Sequence, residues 1–278
     1  KELAFIEDRI RLMVLNLDTK KVRRITDGST WYSTDGEFSY AWSPDGKWFT
    51  LEFIGNRHDP YSDIGLVSAQ GNSPIVNLTN SGYMSGSPRF ALDGNAILFK
   101  TERYGMRAHA SWGSQDDAML IFLNQDAYDK YCLSKEDYEL RKELEAEQKK
   151  TQDKDTTKDK KRSKKETEQE KTGNDKSQVK DIVVELKNIE DRIVRLTPNS
   201  SDMGSVIISK DGESLYYFAA FEDGYDLWKM DLRKKDTQLL HKMDAGWASM
   251  EMDKDGKNLF LLGGKTMQKM DMASNTLK

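Results

Sequence analysis

The chain has 278 residues, 37% hydrophobic and 32% charged, and its 43 Lys/Arg against 47 Asp/Glu leave a formal net charge of -4. A mean hydropathy of -0.78 and an isoelectric point near 5.6 argue against a nucleic-acid binder of the usual basic kind, and no apolar run reaches the roughly 18 residues needed to span a membrane. The single Cys132 excludes a disulfide framework within one chain and any cysteine-based zinc site. Aromatic residues nevertheless make up 10% of the chain, six of them Trp. A chain disordered throughout would be poorer in them, so the composition must change along its length.

In chain order, residues 11–15 and 22–25 read as two short strands, the outer pair of a sheet, ending at Ile25-Thr26. Tyr40 and Trp42 alternate up to the turn Ser43-Pro44-Asp45-Gly46, and a strand resumes with Phe49. Residues 63–67 and 74–78 supply third and fourth strands, closing on Leu78-Thr79. The pattern restarts with Phe90, Asp93-Gly94 and Ile97-Leu98-Phe99. Here residues 118–123 and residues 182–186 suit the third strand equally well. Between them Leu133-Ser134-Lys135-Glu136-Asp137-Tyr138 marks a helix start. Ser134 is placed as N-cap, Asp137 three residues on, and Leu133 and Tyr138 are spaced to clasp the first turn. Leu140 and Leu144 continue an apolar stripe at i, i+4.

From 147 to 180 there are twelve Lys/Arg, eight Asp/Glu and one aliphatic residue, Val179. Such a segment buries too little apolar area to offset its chain entropy and is expected to be a disordered, solvated arm. Its charge is about +4, which leaves about -8 on the remainder. Strands resume around Val206 and Ile208, Asp211-Gly212, residues 215–218, 226–230 and 238–240, then Met252, Asp255-Gly256 and Leu259. The chain ends at Lys278 inside what reads as a partial last unit.

Two markers repeat in phase. Around each Asp-Gly an apolar residue stands three before the Asp (Trp42, Phe90, Ile208, Met252) and another four after it (Phe49, Ile97, Leu215, Leu259). The Asp-Gly pairs suit hairpin turns that need positive φ. Thr79 precedes Asp93 by the same interval as Thr197 precedes Asp211 and His241 precedes Asp255, so His241 fills a Thr slot. The spacings from Asp45 to Asp93 and from Asp211 to Asp255 are those of four-stranded propeller blades. The fold expected is all-β: a partial β-propeller with about four blades present, and a helical and disordered charged insertion in the second full blade. Residues 1–123 then hold the outer strands of a preceding blade, blade one and the start of blade two. Residues 124–180 are the insertion, and 181–278 the end of blade two, blade three and the partial last blade. A ring of six or seven blades would make this a piece of a longer protein with unpaired sheet surfaces at its open ends.

The run Trp42-Ser43-Pro44-Asp45-Gly46-Lys47, residues 63–66 and Leu78-Thr79 resemble the propeller repeat of the TolB and tricorn-type proteins. Trp112-Gly113-Ser114-Gln115-Asp116-Asp117, the Leu133-Ser134-Lys135-Glu136 helix start, the charged arm and the return at residues 188–197 resemble, more narrowly, the N-terminal propeller region of bacterial tricorn-like serine peptidases. That resemblance implies a non-catalytic propeller portion of a serine protease, a hydrolase of peptides, which shapes substrate access or product exit. The partners implied are peptides and the remaining propeller, PDZ and catalytic domains of the parent chain, with homo-oligomerisation left open. The alternatives are a TolB-like protein-interaction propeller without peptidase activity and the propeller gate of a prolyl-oligopeptidase-type enzyme. The resemblance to bacterial proteins implies a periplasmic or cytoplasmic location without choosing between them.

The residues themselves offer little chemistry. There is no Gly-x-Ser-x-Gly elbow, His-Glu-x-x-His pair, phosphate loop or dinucleotide fingerprint. His58, His109 and His241 are far apart in sequence, so no catalytic residue is assigned. Asp253-Lys254-Asp255-Gly256 imitates the start of a calcium loop, yet position twelve would be Gly264 rather than Glu, and no metal or other cofactor is expected. Topology puts the loops joining second to third strands on one face, with the Asp-Gly turns opposite. Arg57, His58, Arg103 and Tyr104 in those loops are the candidate substrate-binding residues, able to hold a peptide carboxylate or stack on a side chain. Trp42, Trp48, Phe90 and Trp228, and the alternating Met250/Met252 and Met270/Met272, read as packing between blades.

Overall fold

The computed structural model describes residues 1–55, 59–109, 112–162 and 180–278. Four antiparallel four-stranded sheets succeed one another along the chain. Blade one is β4 (Tyr40–Trp42), β5 (Trp48–Phe53), β6 (Asp63–Ser68) and β7 (Val76–Asn77). Blade two is β8 (Ser85–Ala91), β9 (Ala96–Thr101), β12 (Asp117–Phe122) and β13 (Ile193–Arg195), with a separate hairpin β10 (Arg107–His109) and β11 (Trp112–Ser114) between its second and third strands. Blade three is β14 (Asp202–Ile208), β15 (Ser214–Ala220), β16 (Tyr225–Asp231) and β17 (Asp236–Ala245). Blade four is β18 (Ala248–Met252), β19 (Asn258–Gly263), β20 (Thr266–Asp271) and β21 (Thr276–Leu277). This last unit thus has all four strands rather than part of them.

Ahead of these stands a sheet of three strands where two were expected: β1 (Glu2–Glu7), β2 (Arg11–Asn16) and β3 (Val22–Arg24). β1 and β2 meet through a tight turn at Asp8 and Arg9, both at positive φ without a glycine. A search for Asp-Gly therefore passes over it.

Apolar layers fill the spaces between successive sheets. Leu12 and Val14 meet Phe49, Leu51 and Val67; Ile64 and Leu66 meet Ile97, Phe99 and Met119. Leu98 and Leu120 meet Val206, Leu215 and Tyr217; Tyr216 and Phe218 meet Met250, Leu259 and Leu261. The inner sheets bury both faces, one in each neighbouring layer, so β9 and β12 read as nearly continuous apolar runs, whereas β2 and β19 in the two end sheets alternate because one face is covered. Trp42, Trp48, Phe90 and Trp228 border these layers, and Met250, Met252, Met270 and Met272 share the last one. Arg89 on β8 reaches Glu251 on β18 at 3.6 Å, so the first strands of blades two and four look across a common axis. Sheets stacked face to face around an axis, first strand innermost, constitute a β-propeller, here with a helical insertion between two strands of blade two.

The Asp-Gly turns of blades one and three match atom for atom. In blade one Gly46 N–H donates to Ser43 O (2.9 Å), Ser43 Oγ donates to Asp45 Oδ1 (2.5 Å), and Trp48 N–H donates to Ser43 Oγ (2.9 Å). Blade three reproduces this with Gly212, Ser209, Asp211 and Ser214. In blade four Asp253 replaces the serine and accepts from Lys257 N and Asn258 N at 2.8 and 3.2 Å, which explains its likeness to a calcium loop. Only the glycine has positive φ in these three turns; in blade two Leu92 and Asp93 share it with Gly94. The residue before each Asp lies over the next glycine: Pro44 over Gly94, Leu92 over Gly212, Lys210 over Gly256. A side chain at these glycines would meet both strain and its neighbour.

The insertion leaves from this turn face. β12 is the third strand of blade two, paired with both β9 and β13. Residues 182–186 form no strand; they cross the turns, where Ile182 N–H donates to Asp45 Oδ2 (2.9 Å) and the Ile182 side chain covers Gly94. A helix not anticipated, α1 (Gln125–Cys132), starts at Asn124, whose side chain accepts from Ala127 N. The next, α2 (Lys135–Arg162), is capped by Ser134 as its spacing suggests, with Asp137 N–H donating to Ser134 Oγ at 3.1 Å. It buries Tyr138, with Arg141 and Glu145 half-buried along the same stripe, while Leu140 and Leu144 are 56% and 51% exposed. The expected Leu stripe is therefore on the wrong side. α2 also continues to Arg162, into the stretch expected to be disordered. Its Lys, Glu, Gln and Arg are good helix formers and pair at i, i+4, as Arg141 and Glu145 do. The remainder of that expectation, residues 163–179, lies outside the described residues.

Candidate functional site

At the opposite face, the third strands of blades one, two and three each carry a carboxylate at their start that ties down the blade. Asp63 accepts from Thr79 Oγ1 (2.7 Å), Ser81 N (2.9 Å) and Asn77 Nδ2 (2.8 Å). Asp226 accepts from Met243 N and Asp244 N. Asp117, fully buried, accepts from Thr197 Oγ1 (2.8 Å), Ser200 Oγ (2.7 Å) and the Arg195 guanidinium (2.8–3.0 Å). The Thr marker completes this knot in blades one and two, where Thr79 and Thr197 accept from the third-strand N–H groups of Ile64 and Ala118, and Thr26 accepts likewise from Leu12 N on β2. His241, in the fourth Thr slot, instead contacts Asn275 O through Nε2 at 3.2 Å.

Blade two adds a second layer outside this knot. Arg107, Tyr83, Arg103, Tyr104 and Arg195 stack alternately, with guanidinium carbons 5.4, 5.9, 5.6 and 4.9 Å from the successive ring centroids. Each step is a cation–π contact. Tyr83 and Tyr104 keep 37% and 47% of their surface exposed. Arg195 is committed to Asp117, whereas neither Arg103 nor Arg107 is in an ion pair among the described residues. The loop holds its shape because Gly105 packs onto the backbone of Gln115, where a side chain would collide with the Gln115 carbonyl. The ladder's outer edge thus offers two guanidinium groups and two ring faces, a surface suited to carboxylates and flat side chains.

Beneath it lies a polar core. Lys100 Nζ donates to Met203 O (3.0 Å) and pairs with Asp116 at 3.4 Å. Burial pushes the Asp116 carboxyl up from its ordinary value against the pull of Lys100, and burial followed by the nearby Asp116 charge does the same to Glu102. Tyr225 donates to Asp202 Oδ1 (2.7 Å), and burial together with that carboxylate lifts its hydroxyl to about 12. No group of three or more metal-ligating side chains occurs among the described residues. No helix among them is long and apolar enough to cross a membrane.

Of the four residues predicted from sequence, Arg103 and Tyr104 come together in this ladder; Arg57 and His58 lie outside the described residues. Tyr83, Arg107 and Arg195 were not anticipated as members. Arg195 had a usable signal, since it stands two residues before the Thr marker and pairs with the repeated third-strand Asp. Tyr83 had none: its loop enters blade two from blade one, and only the fold brings it to Arg103.

The architecture and the ladder define the class, a β-propeller with an aromatic and basic loop face. The solved structures similar to this chain share its fold. The tricorn protease aligns at TM-score 0.62 and 12% identity, over 98% of this chain and 24% of that one. Putative TolB from Agrobacterium tumefaciens aligns at TM-score 0.58 and 12% identity, over 100% and 76%. TolB from Acinetobacter baumannii aligns at TM-score 0.55 and 14% identity, over 100% and 50%. The chain therefore spans about a quarter of the tricorn protease. No protein-family model matches the chain, and no curated protein matches it in sequence. Identities this low show a shared fold.

Proposed function

We propose that this chain is a non-catalytic interaction propeller, of the kind TolB represents, that binds peptide or protein segments across the loop face of blade two. The observation that carries the reading is the Arg107–Tyr83–Arg103–Tyr104–Arg195 ladder. Two guanidinium groups stand beside two exposed rings, on loops held by buried carboxylates rather than free to rearrange. Acidic and aromatic side chains, or a peptide terminal carboxylate, fit such a surface. A second reading, the propeller portion of a tricorn-like peptidase, draws support from the likeness to the tricorn protease over 98% of this chain and from the motif resemblance of the blade-two insertion. In that reading the same ladder would sort peptides on their way to or from a catalytic domain elsewhere in a longer chain.

The test is peptide binding by fluorescence anisotropy, with labelled peptides of matched length that are acidic-aromatic, neutral or basic. The expected order places the acidic-aromatic peptide first, and Arg103→Ala with Tyr104→Ala is expected to weaken it by about tenfold or more while thermal unfolding barely moves. Equal binding of acidic and basic peptides, or a double variant that binds like the wild type, would sink the proposal. In a longer parent chain the same variant should change turnover of acidic peptides selectively if the second reading is correct.

A further inference from the structure

The blade next to the ladder presents the opposite charge. In blade three the loop joining β15 to β16, residues 221–224, stands on the same face as Arg103 and Tyr104. With the end of β17 it forms a cleft of about 260 Å³. One side of the cleft is apolar and open: Phe221 and Leu239 keep 48% and 44% of their surface exposed. The Phe221 ring stands nearly at right angles to Trp228, with centroids 5.2 Å apart, so Trp228 backs it and leaves its outer part free. Two open apolar side chains beside one cleft form a contact surface rather than scattered surface residues.

The other side is acidic. Asp226 is taken up by Met243 N and Asp244 N, and Lys242 pairs with Asp244 at 3.5 Å. Glu222 and Asp223 remain, both exposed and in no ion pair among the described residues. The loop that carries them is fixed in shape, because a side chain at Gly224 would collide with the backbone of Asp244. The cleft is therefore formed before anything enters it, and an occupant does not have to order the loop.

Charge and shape together select the occupant. A single surface ion pair adds little, and so does a cation beside an exposed ring. A long side chain with an apolar stem and a cationic head meets both at once, its stem on Phe221 and Leu239 and its head at Glu222 and Asp223. Arginine suits the cleft better than lysine, since a planar guanidinium both stacks on a ring and forks onto a carboxylate.

We propose that the blade-three cleft binds an arginine side chain of the same segment whose acidic-aromatic part lies on the blade-two ladder. The proposal rests on the peptide-binding reading and adds a charge order to it: the segment carries both signs, one for each blade. A segment of uniform charge meets attraction at one blade and repulsion at the other, so the two loops together select against it.

The experiment extends the labelled acidic-aromatic peptide, on either side, with Gly-Ser spacers of increasing length that each end in one arginine. Anisotropy is expected to show binding tighter by about fivefold or more at the best spacer length, with less gain at shorter and longer ones. Citrulline or norleucine in place of arginine should give no gain. Glu222→Gln with Asp223→Asn should return the extended peptide to the affinity of the unextended one without weakening the latter. Phe221→Ala alters no charge and should remove most of the gain. No gain at any length, an equal gain at every length, or a gain that citrulline reproduces or the double variant retains would overturn the proposal. In each of those cases the ladder reading still stands on the unextended peptide. If the unextended peptide does not bind, or ignores Arg103→Ala with Tyr104→Ala, the ladder reading falls and this proposal falls with it.

Discussion

The two faces of this propeller are built from the ends of the same hairpins, yet their polar groups are satisfied in different ways. On the turn face the partners are local and repeat: Ser43 with Asp45, Ser209 with Asp211, Asp253 with Asn258. On the loop face they are distant in sequence: the Asp–Thr bond recurs in blades one and two, but what blade two adds to it does not recur. Asp117 is held by Arg195, Thr197 and Ser200, and Arg103 stacks on Tyr83. Local, repeated bonds shape a blade whatever its neighbours are. Bonds between distant residues fix one arrangement of several loops at once, and that is where a recognition surface can be held without a rigid loop of its own.

If that contrast is right, damage at the two faces should differ in size and kind. The largest effect is expected at Asp117. Asp117→Ala strands the Arg195 guanidinium, the Thr197 and Ser200 hydroxyls and the junction between blades two and three, and should cost about 3 kcal/mol. Chemical denaturation reads that loss, and peptide binding at the ladder should fall with it because Arg195 loses its anchor. A loss under about 1 kcal/mol would show that the knot is not what holds the loop face.

Next come the turns. Ser43→Ala and Ser209→Ala each remove one hydroxyl that both donates to an Asp and accepts a backbone N–H. Each should cost about 1 kcal/mol, and the double variant should cost the sum because the turns share no partner. Peptide binding should be untouched. A double variant far from additive would mean that the stacked turns, with Leu92 between them over Gly212, act as one unit rather than as separate caps.

The same contrast explains what could be read from the sequence. The turn cassette is local, so Asp-Gly and its flanking apolar residues reveal blade number and order. The Thr marker was visible too, although its partners, a third-strand N–H and an Asp, emerge only when strands three and four pair. β1 was missed because its turn uses Asp8 and Arg9 at positive φ, and α1 because its signal is no more than Asn124 as a cap. Leu140 and Leu144 suggested the wrong buried side of α2. That helix lies on polar turn tips, so Tyr138 OH donates to Asp211 O and Lys142 pairs with Glu213, leaving the leucines outside. At the loop face, adjacent residues such as Arg103 and Tyr104 could be picked as a pair, but Tyr83 and Arg195 could not, since they arrive from other loops.

The smallest expected effect concerns the other half of the Asp116-Asp117 pair. Asp116 is pushed up from its ordinary value by burial, with Lys100 opposing that shift. A carboxyl whose folded value lies above its unfolded value binds a proton more readily in the folded chain. Its contribution to stability is therefore greatest below the unfolded value near 3.8 and declines as pH rises through the folded value. Asp116→Asn keeps an acceptor for Lys100, whose Nζ also donates to Met203 O, and removes the group that titrates. At neutral pH the variant should differ from the wild type by less than about 1 kcal/mol. As the pH is lowered through the acidic range, the wild type should gain on the variant. The measurement is the difference between their denaturation midpoints from acidic to neutral pH. A difference that stays flat would show that Asp116 is held charged by Lys100 after all. It would then belong with Asp117 to one structural knot, and the polar core under the ladder would be as fixed as the turns across the ring.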